Sequence, residues 1–298
     1  MESAPVLAAV IVHHGDPAAA LDAVESLARW RGVRPFPVVV DNGPGPSGPL
    51  AAAVDGLGGR LIRPEANLGF GGGLNRGIEA ARRLLPAAQE AFLLLNHDVL
   101  LDPDAPALLL SRLREEPALG AVGPAIGFRE DPGLIWNAGS DIVWPAASPR
   151  SLFHLRSVSE LPAEPYPVGF VCGCACLVRS AALAAAGGVP EEYFLYFEDA
   201  ELSFRIRKTG WNVKVEPRAR ALHRPGSAVG NHPRLAEYCR ARNRLIFSRR
   251  WAPAGPLPPL SRFTFSLSRL LQSRAAGRGV MDAWRGRTGP PPPEVWGP

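Results

Sequence analysis

Phe92-Leu93-Leu94-Leu95-Asn96-His97-Asp98 is a run of four apolar residues that stops abruptly on three polar ones. A short apolar run of this kind fits a strand buried on both faces, as strands of a parallel sheet are. The same shape recurs upstream, where residues 6–12 (VLAAVIV) close on His13-His14 and residues 37–40 close on Asp41-Asn42. Between those two runs, residues 17–30 set Leu21, Val24 and Leu27 at i, i+3 and i+6, the spacing of an amphipathic helix. This is a βαβ beginning. A weaker strand at residues 60–63, a Gly-rich turn and a helix over about residues 74–85 lead into the 92–95 strand. Strands alternating with helices predict an α/β fold, with a mostly parallel central sheet covered by helices on both faces. In such sheets ligands bind outside the carboxyl ends of the strands, where all three polar clusters fall.

The second half is less regular. A helix is expected near residues 103–115, and short strands around 120–124 and 136–144. Another strand would carry Cys172, Cys174 and Cys176, a helix would begin near Glu198, and residues 234–250 would form a further helix. The C-x-C-x-C spacing matches neither a zinc site nor a disulfide framework, so the cysteines are expected as small apolar packers on one face of a buried strand. Pro-rich residues 253–259 mark a compositional boundary, which predicts a main domain over residues 1–250 and an appendage over 251–298. Within that appendage residues 260–287 space Phe263, Phe265, Leu267, Leu270 and Leu271 among arginines, as short basic amphipathic helices do, and 290–298 reads as a loose tail.

The net charge of +5 is unevenly placed: residues 234–298 hold twelve arginines against Glu237, Asp282 and Glu294, a surplus of nine that leaves the remainder at −4. No apolar run approaches the roughly 20 residues of a membrane-spanning helix. Residues 1–5 contain an acid and lead directly into a strand, which speaks against an export signal and for a cytoplasmic protein.

Several clusters carry chemistry. A carboxylate at Asp98, beyond the end of a strand, suits Mg²⁺ or Mn²⁺, which take oxygen ligands and share them with substrate phosphates; a turn or helix-capping role is the alternative. Glu198, Asp199 and Glu201 open a helix, where acids complement the helix dipole and Glu201 can pair with Arg205 at i+4. The aromatic lead-in Tyr193-Phe194-Leu195-Tyr196-Phe197 would shield a carboxylate from water and raise its pKa, as a general base needs. The segment from Asn67 through Gly69, Gly71, Gly72 and Gly73 to Asn75 lacks the third glycine of a dinucleotide fingerprint, which disfavours a Rossmann dehydrogenase. It could still hold a nucleotide by backbone N–H groups, or simply supply a tight turn. His223, alone after a strand, is by itself an unremarkable histidine.

Taken in order, four segments resemble the family 2 inverting glycosyltransferases, and in particular their bacterial rhamnosyltransferase-like branch. They are Val39-Val40-Asp41-Asn42-Gly43, Asn67-x-Gly69 to Asn75-x-Gly77, Leu94-Leu95-Asn96-His97-Asp98, and Phe194-x-Tyr196-Phe197-Glu198-Asp199-x-Glu201-Leu202-x-x-Arg205. The resemblance covers about residues 6–250 and implies a GT-A fold, with a nucleotide-binding half over 1–125, an acceptor half over 126–250 and a C-terminal helical appendage. It implies that His13, Asp41, Asn67, Gly69, Asn75, Asn96 and Arg205 surround a nucleotide-sugar donor. Asp98 and His223 would bind Mg²⁺ or Mn²⁺ at the diphosphate, and Asp199, beside Glu198, would deprotonate the acceptor hydroxyl. The donor would be dTDP-rhamnose or a UDP-sugar, and the acceptor a glycan, a lipid-linked sugar or a small molecule.

The sequence departs from the family's pattern at His97, where Pro or Asp is usual, at Gly43-Pro44-Gly45, at Pro190 and at Glu201. Tyr238, Arg242, Asn243 and residues 279–289 also resemble the branch, whose C-terminal part is associated with membrane-surface or acceptor contacts. A basic, apolar-studded appendage would be drawn to anionic lipid head groups at the inner face of a membrane; equally, its arginines could simply solvate a packing helix. A catalytically silent nucleotide- or glycan-binding scaffold is the alternative function. Nucleic acid is not an expected partner, since the basic appendage contains no recognition motif and the rest is net negative.

Overall fold

The computed structural model describes residues 4–15, 17–45, 47–85, 89–225 and 232–296. Alternate residues of its first strand serve two different cores. In β1 (Val6–His13), Leu7, Ala9 and Ile11 point to one face of the sheet, and Ala8, Val10 and Val12 to the other. The chain then runs through α1 (Pro17–Leu27), β2 (Arg34–Asp41), α2 (Gly48–Gly56), β3 (Arg60–Ile62), α3 (Gly69–Leu84), β4 (Ala91–Asn96), β5 (Val99–Leu101) and α4 (Ala105–Glu115). It continues with β6 (Leu119–Phe128), β7 (Ile135–Asn137), β8 (Ser140–Val143), β9 (Ser148–Ser151), β10 (Tyr166–Pro167), β11 (Ala175–Arg179), α5 (Ser180–Ala185), α6 (Glu198–Lys208) and β12 (Asn212–His223). Helices α7 (Pro233–Trp251), α8 (Leu257–Gln272) and α9 (Arg274–Trp284) close the order, followed by a 3-10 turn at Pro293–Val295.

The central sheet has the order β10-β12-β6-β11-β4-β1-β2-β3. Pairings β1/β2, β1/β4, β2/β3 and β6/β12 are parallel, while β11 runs antiparallel between β4 and β6. One face is covered by α1, α2 and α4, through residues such as Val24, Val54 and Leu109. The other is covered by α3, α5 and α6, through Ile78, Leu183 and Ile206. Strand order reverses at β1, between β2 and β4, and this is the crevice where α/β sheets bind ligands.

Three local expectations are revised. The Gly-rich segment is not a free turn: α3 begins at Gly69, whose φ of +73° suits glycine. A Cβ at Gly69 would stand 2.5 Å from the Phe194 carbonyl oxygen and one at Gly71 would stand 2.3 Å from that of Pro190. The glycines let α3 press against residues 190–194. The cysteines do not share one strand face. Cys172 and Cys174 precede β11 in a turn, with Cys174 in one core and Cys176 in the other, and all four cysteines are free thiols. Finally, the tail folds back: Val295 is buried against Leu235, Tyr238, Cys239 and Ala275.

Candidate active site

His13 and Asp41 are register partners at the ends of β1 and β2, and His13 Nε2 lies 3.9 Å from Asp41 Oδ1. Burial raises the Asp41 carboxyl, but the Arg63 guanidinium at 2.6 Å and the Gly43 N–H at 2.9 Å outweigh it and hold the group below its ordinary value. Asn42 stitches this rim to α3: its amide nitrogen donates to the Gly69 carbonyl at 3.1 Å and its oxygen accepts from the Leu68 N–H at 3.3 Å. The Asn67 side chain accepts from the Gly69 N–H at 2.8 Å, closing the turn into the helix. The His14 imidazole, in the same crevice, is held below its ordinary value by burial and by His232 and His97 nearby.

Sheet register explains the next pair. His223 is the last residue of β12 and pairs with Val99 of β5, immediately after Asp98. Two residues 125 apart in sequence thus meet, His223 Nε2 lying 3.3 Å from Asp98 Oδ2, both buried. The Trp136 ring stands edge-on to His223 at 4.3 Å between centroids. One carboxylate and one imidazole facing a cavity fit a divalent cation that draws its remaining ligands from phosphate oxygens and water. Among the described residues no group of three or more His, Cys, Asp or Glu side chains forms a closed metal site.

Glu198 and Asp199 open α6. Asp199 Oδ2 accepts from the Gly173 N–H at 3.1 Å and Oδ1 from the Ala200 N–H at 2.8 Å. Burial raises the Asp199 carboxyl, with these backbone bonds opposing the rise. The Glu198 carboxyl is pushed up to about 8 by burial, with the Asp199 charge adding to the effect. Among the described residues no hydrogen-bond partner reaches its buried Oε2. The pair is presented by a constrained loop in which Phe194, Tyr196 and Phe197 have φ of +64°, +68° and +75°. Asn243 of α7 holds that loop with one amide group, donating to the carbonyls of Tyr193, Leu195 and Tyr196 at 2.8–2.9 Å. Beside it the fully buried Arg242 donates to the Tyr193 carbonyl at 2.8 Å and to the Gly289 carbonyl at 2.7 Å.

The crevice opens into a cavity of about 760 Å³. Of the site residues read from the sequence, Asn67, Gly69, Asn96, Asp98, Glu198, Asp199 and His223 line it. His13 and Asp41 are buried and are not among its lining, with the His13 ring against His97 at 5.1 Å between centroids. Arg205 and Asn75 are placed elsewhere. The Arg205 guanidinium bonds Glu192 and, at 2.8 Å, Glu201, whose fully buried carboxylate also accepts from Arg250, Tyr193 and Trp251. The i+4 spacing that suggested the Glu201–Arg205 pair decides where the arginine goes. Asn75 exchanges hydrogen bonds with the Val189 backbone at 2.8 and 2.9 Å, fastening α3 to the chain ahead of the 193–197 loop.

Other lining residues escaped the sequence reading: Trp136, Arg240, Arg244, Arg269 and Trp296. The Trp296 ring stands edge-on to Phe194 at 5.6 Å, and its carbonyl bonds His232 Nδ1 at 2.9 Å. A lone tryptophan in a Pro-rich tail was the available signal.

Residues 9–186 match the profile described as Glycosyl transferase family 2. The chain belongs to glycosyltransferase family 2. Over 216 residues it is 32% identical to the N-acetylglucosaminyl-diphospho-decaprenol L-rhamnosyltransferase of Mycobacterium tuberculosis (strain ATCC 25618 / H37Rv), covering 67% of this chain and 70% of the relative. Among solved structures, GalNAc-T7 with UDP, GalNAc and Mn²⁺ aligns with a TM-score of 0.60 at 16% identity, over 90% of this chain and 55% of that one. The mannosyltransferase PcManGT of Pyrobaculum calidifontis, with GDP-Man and Mn²⁺, gives 0.56 at 15% identity, over 95% and 75%. These likenesses establish the GT-A fold, and the protein is a glycosyltransferase of this family with a rhamnosyltransferase relative. No helix among the described residues is long and apolar enough to cross a membrane.

Proposed function

We propose that this glycosyltransferase moves a sugar, with inversion, from a nucleoside-diphosphate donor to a hydroxyl of a lipid-linked acceptor, and that dTDP-rhamnose is the first donor to test, ahead of UDP-sugars. The observation that carries the reading is that one cavity is lined by two separate acid-bearing pairs, Asp98 with His223 and Glu198 with Asp199. An inverting displacement needs this division: a base on the acceptor side and charge compensation at the leaving diphosphate.

Asp199 accepts the acceptor's hydroxyl proton while the oxygen attacks the anomeric carbon. The bond from that carbon to the diphosphate breaks on the opposite face, and the nucleoside diphosphate leaves with the electron pair. The Gly173 and Ala200 N–H groups orient Asp199, and the buried aromatic loop keeps bulk water away from it. Asp98 and His223 would hold Mg²⁺ or Mn²⁺, which when bound offsets the negative charge of the diphosphate. Support for that ion comes from the neighbouring Asp98 and His223 and from the Mn²⁺ held by the two structural neighbours.

Purified protein should bind one class of nucleotide sugar in calorimetry only when Mn²⁺ or Mg²⁺ is present. Asp98→Ala should abolish that binding. Failure of wild-type protein to bind any UDP-, dTDP- or GDP-sugar, with or without metal, would defeat the proposal.

The acceptor is assigned to a bilayer surface because α8 turns Leu260, Phe263, Leu267 and Leu271 to solvent, with no acidic residue along its length. An exposed apolar row on a segment of net positive charge suits a membrane surface with anionic head groups. Phosphatidylglycerol vesicles should co-sediment the protein, and Phe263→Glu with Leu267→Glu should abolish this. Equal sedimentation of that variant would remove the membrane contact from the proposal.

A further inference from the structure

Three arginines converge on the cavity without a carboxylate to receive them. Arg240 and Arg244 lie one turn apart on α7, Arg269 comes from α8, and all three line the cavity. The Arg244 and Arg269 guanidinium carbons lie 4.3 and 5.3 Å from the centroid of the same Phe265 ring. Arg240 stacks over Tyr196 at 4.5 Å and donates to its hydroxyl at 3.2 Å. Their hydrogen-bond partners are neutral: Tyr196 Oη, the Ala146 carbonyl at 2.7 Å from Arg244, and the Gln272 side chain for Arg269. Among the described residues none of the three forms an ion pair. Glu237 lines the same cavity but is bonded to Ser273 Oγ at 2.5 Å.

This pattern differs from that of Arg205 and Arg250, which are matched to Glu192 and Glu201. Arg240 is exposed, but Arg244 and Arg269 are half-buried, and half-buried like charges on neutral partners are destabilising unless an anion joins them. The Arg244 guanidinium is held below its ordinary value by burial and by Arg269, and the buried Arg269 Nε has no hydrogen-bond partner among the described residues. Both observations describe positive charge awaiting a counter-ion.

Position identifies the anion. Tyr196, under Arg240, lies two residues before the Glu198–Asp199 pair, the acceptor side of the proposed reaction. The donor's diphosphate, by contrast, is assigned to the Asp98–His223 side. The helix that carries Arg269 and Phe265 inward also carries the exposed row of Leu260, Phe263, Leu267 and Leu271. An anion attached to a long apolar chain would reach both faces of α8 at once.

We infer that Arg240, Arg244 and Arg269 form a subsite for the diphosphate of a prenyl-diphosphate-linked acceptor, holding it so that the sugar hydroxyl reaches Asp199. This inference rests on the transferase reading above.

The test uses full-length protein saturated with nucleoside diphosphate and Mn²⁺, titrated with farnesyl diphosphate and, as a phosphate-free control, farnesol. Farnesyl diphosphate should bind, and Arg244→Gln and Arg269→Gln should each weaken it by about tenfold or more, the loss of a charge-assisted bond. Farnesol affinity should be the same in all three proteins, Arg244→Lys should recover most of the loss, and nucleotide binding should stay at the wild-type level, which also reports correct folding. Unchanged farnesyl diphosphate affinity in the glutamine variants overturns the subsite. A loss on phosphatidylglycerol vesicles with no loss on farnesyl diphosphate overturns it too, and assigns the arginines to the bilayer surface. Absence of nucleotide binding in wild-type protein would instead strike the transferase reading, so the two failures are distinguishable.

Discussion

Replacing Glu198 by glutamine tests the burial of the acid pair through stability rather than turnover. The Glu198 carboxyl is 6% exposed and is pushed up to about 8, whereas in the unfolded chain it returns to its ordinary 4.5. Between those values the folded protein keeps a proton that the unfolded chain has released, so stability falls as pH rises, by about 1.4 kcal/mol per pH unit. Across roughly 3.5 units the loss is on the order of 5 kcal/mol, absent below pH 4.5 and complete above pH 8. Asp199, raised by burial, adds a loss of the same sign that begins near its own ordinary value of 3.8. Glutamine at 198 keeps the shape of the protonated acid and has no proton to lose. Urea unfolding of metal-free and nucleotide-free protein should find the two chains alike near pH 5, with the variant gaining most of those ~5 kcal/mol over wild type by pH 8.5. A wild-type-to-variant difference constant to within about 0.5 kcal/mol from pH 5 to 8.5 would refute the reasoning.

Asp199→Asn should lower transfer by about a hundred- to ten-thousand-fold in a donor-turnover assay while nucleotide binding persists. In wild-type protein the acid limb of the kcat profile should lie above the ordinary carboxylate range, because burial raises Asp199 and the base works only when ionised; a limb near pH 4 would contradict this. Glu201→Gln should destabilise by about 3–5 kcal/mol in the same urea experiment, since it leaves Arg205 and Arg250 facing a neutral group in a buried network, and a change under 1 kcal/mol would show the network is dispensable. Trp296→Ala should cost about 0.5–1.5 kcal/mol of stability, the worth of its edge-to-face contact with Phe194, and should raise the donor KM because the ring lines the cavity. An unchanged KM would deny the returning tail a part in the site.

The first half of the fold was legible because its signals are local. The apolar runs at 6–12, 37–40 and 92–95 are strands buried on both faces, and such strands announce themselves without reference to anything distant. His13, Asp41 and Asp98 likewise lie where those runs end. What lies beyond the local signal was harder to read. Asp98 meets His223 only because β5 and β12 pair in one register, and no spacing within either segment encodes that. Arg205 was drawn toward the donor by family resemblance, whereas burial of Glu201 draws it into an ion-pair network. The cysteine spacing looked like one strand face because alternation in sequence cannot reveal a turn at Gly173, where the backbone N–H is used by Asp199. The tail looked loose because its composition is Pro-rich, yet Val295 and Trp296 find apolar partners supplied by α7 and the 193–197 loop.

Holding two carboxylates side by side out of water is costly, and so is a loop with three non-glycine residues at positive φ, each about 1–3 kcal/mol. A loop this strained persists only where its surroundings over-determine it. Asn243 supplies three hydrogen bonds to its carbonyls, Arg242 a fourth, and the Phe70 N–H donates to the Phe194 carbonyl at 2.7 Å from the first turn of α3. The Arg242 fork also grips the Gly289 carbonyl, and the Gly289 N–H donates to the Glu192 carbonyl at 2.7 Å. The acid pair is therefore anchored from the Gly-rich helix on one side and from the C-terminal segment on the other. Pro-rich residues 253–259 separate the last helices in composition, but the hydrogen bonds run across that boundary. Loss of the segment beyond α9 would remove support from the loop that positions Asp199, as well as Trp296 from the cavity wall.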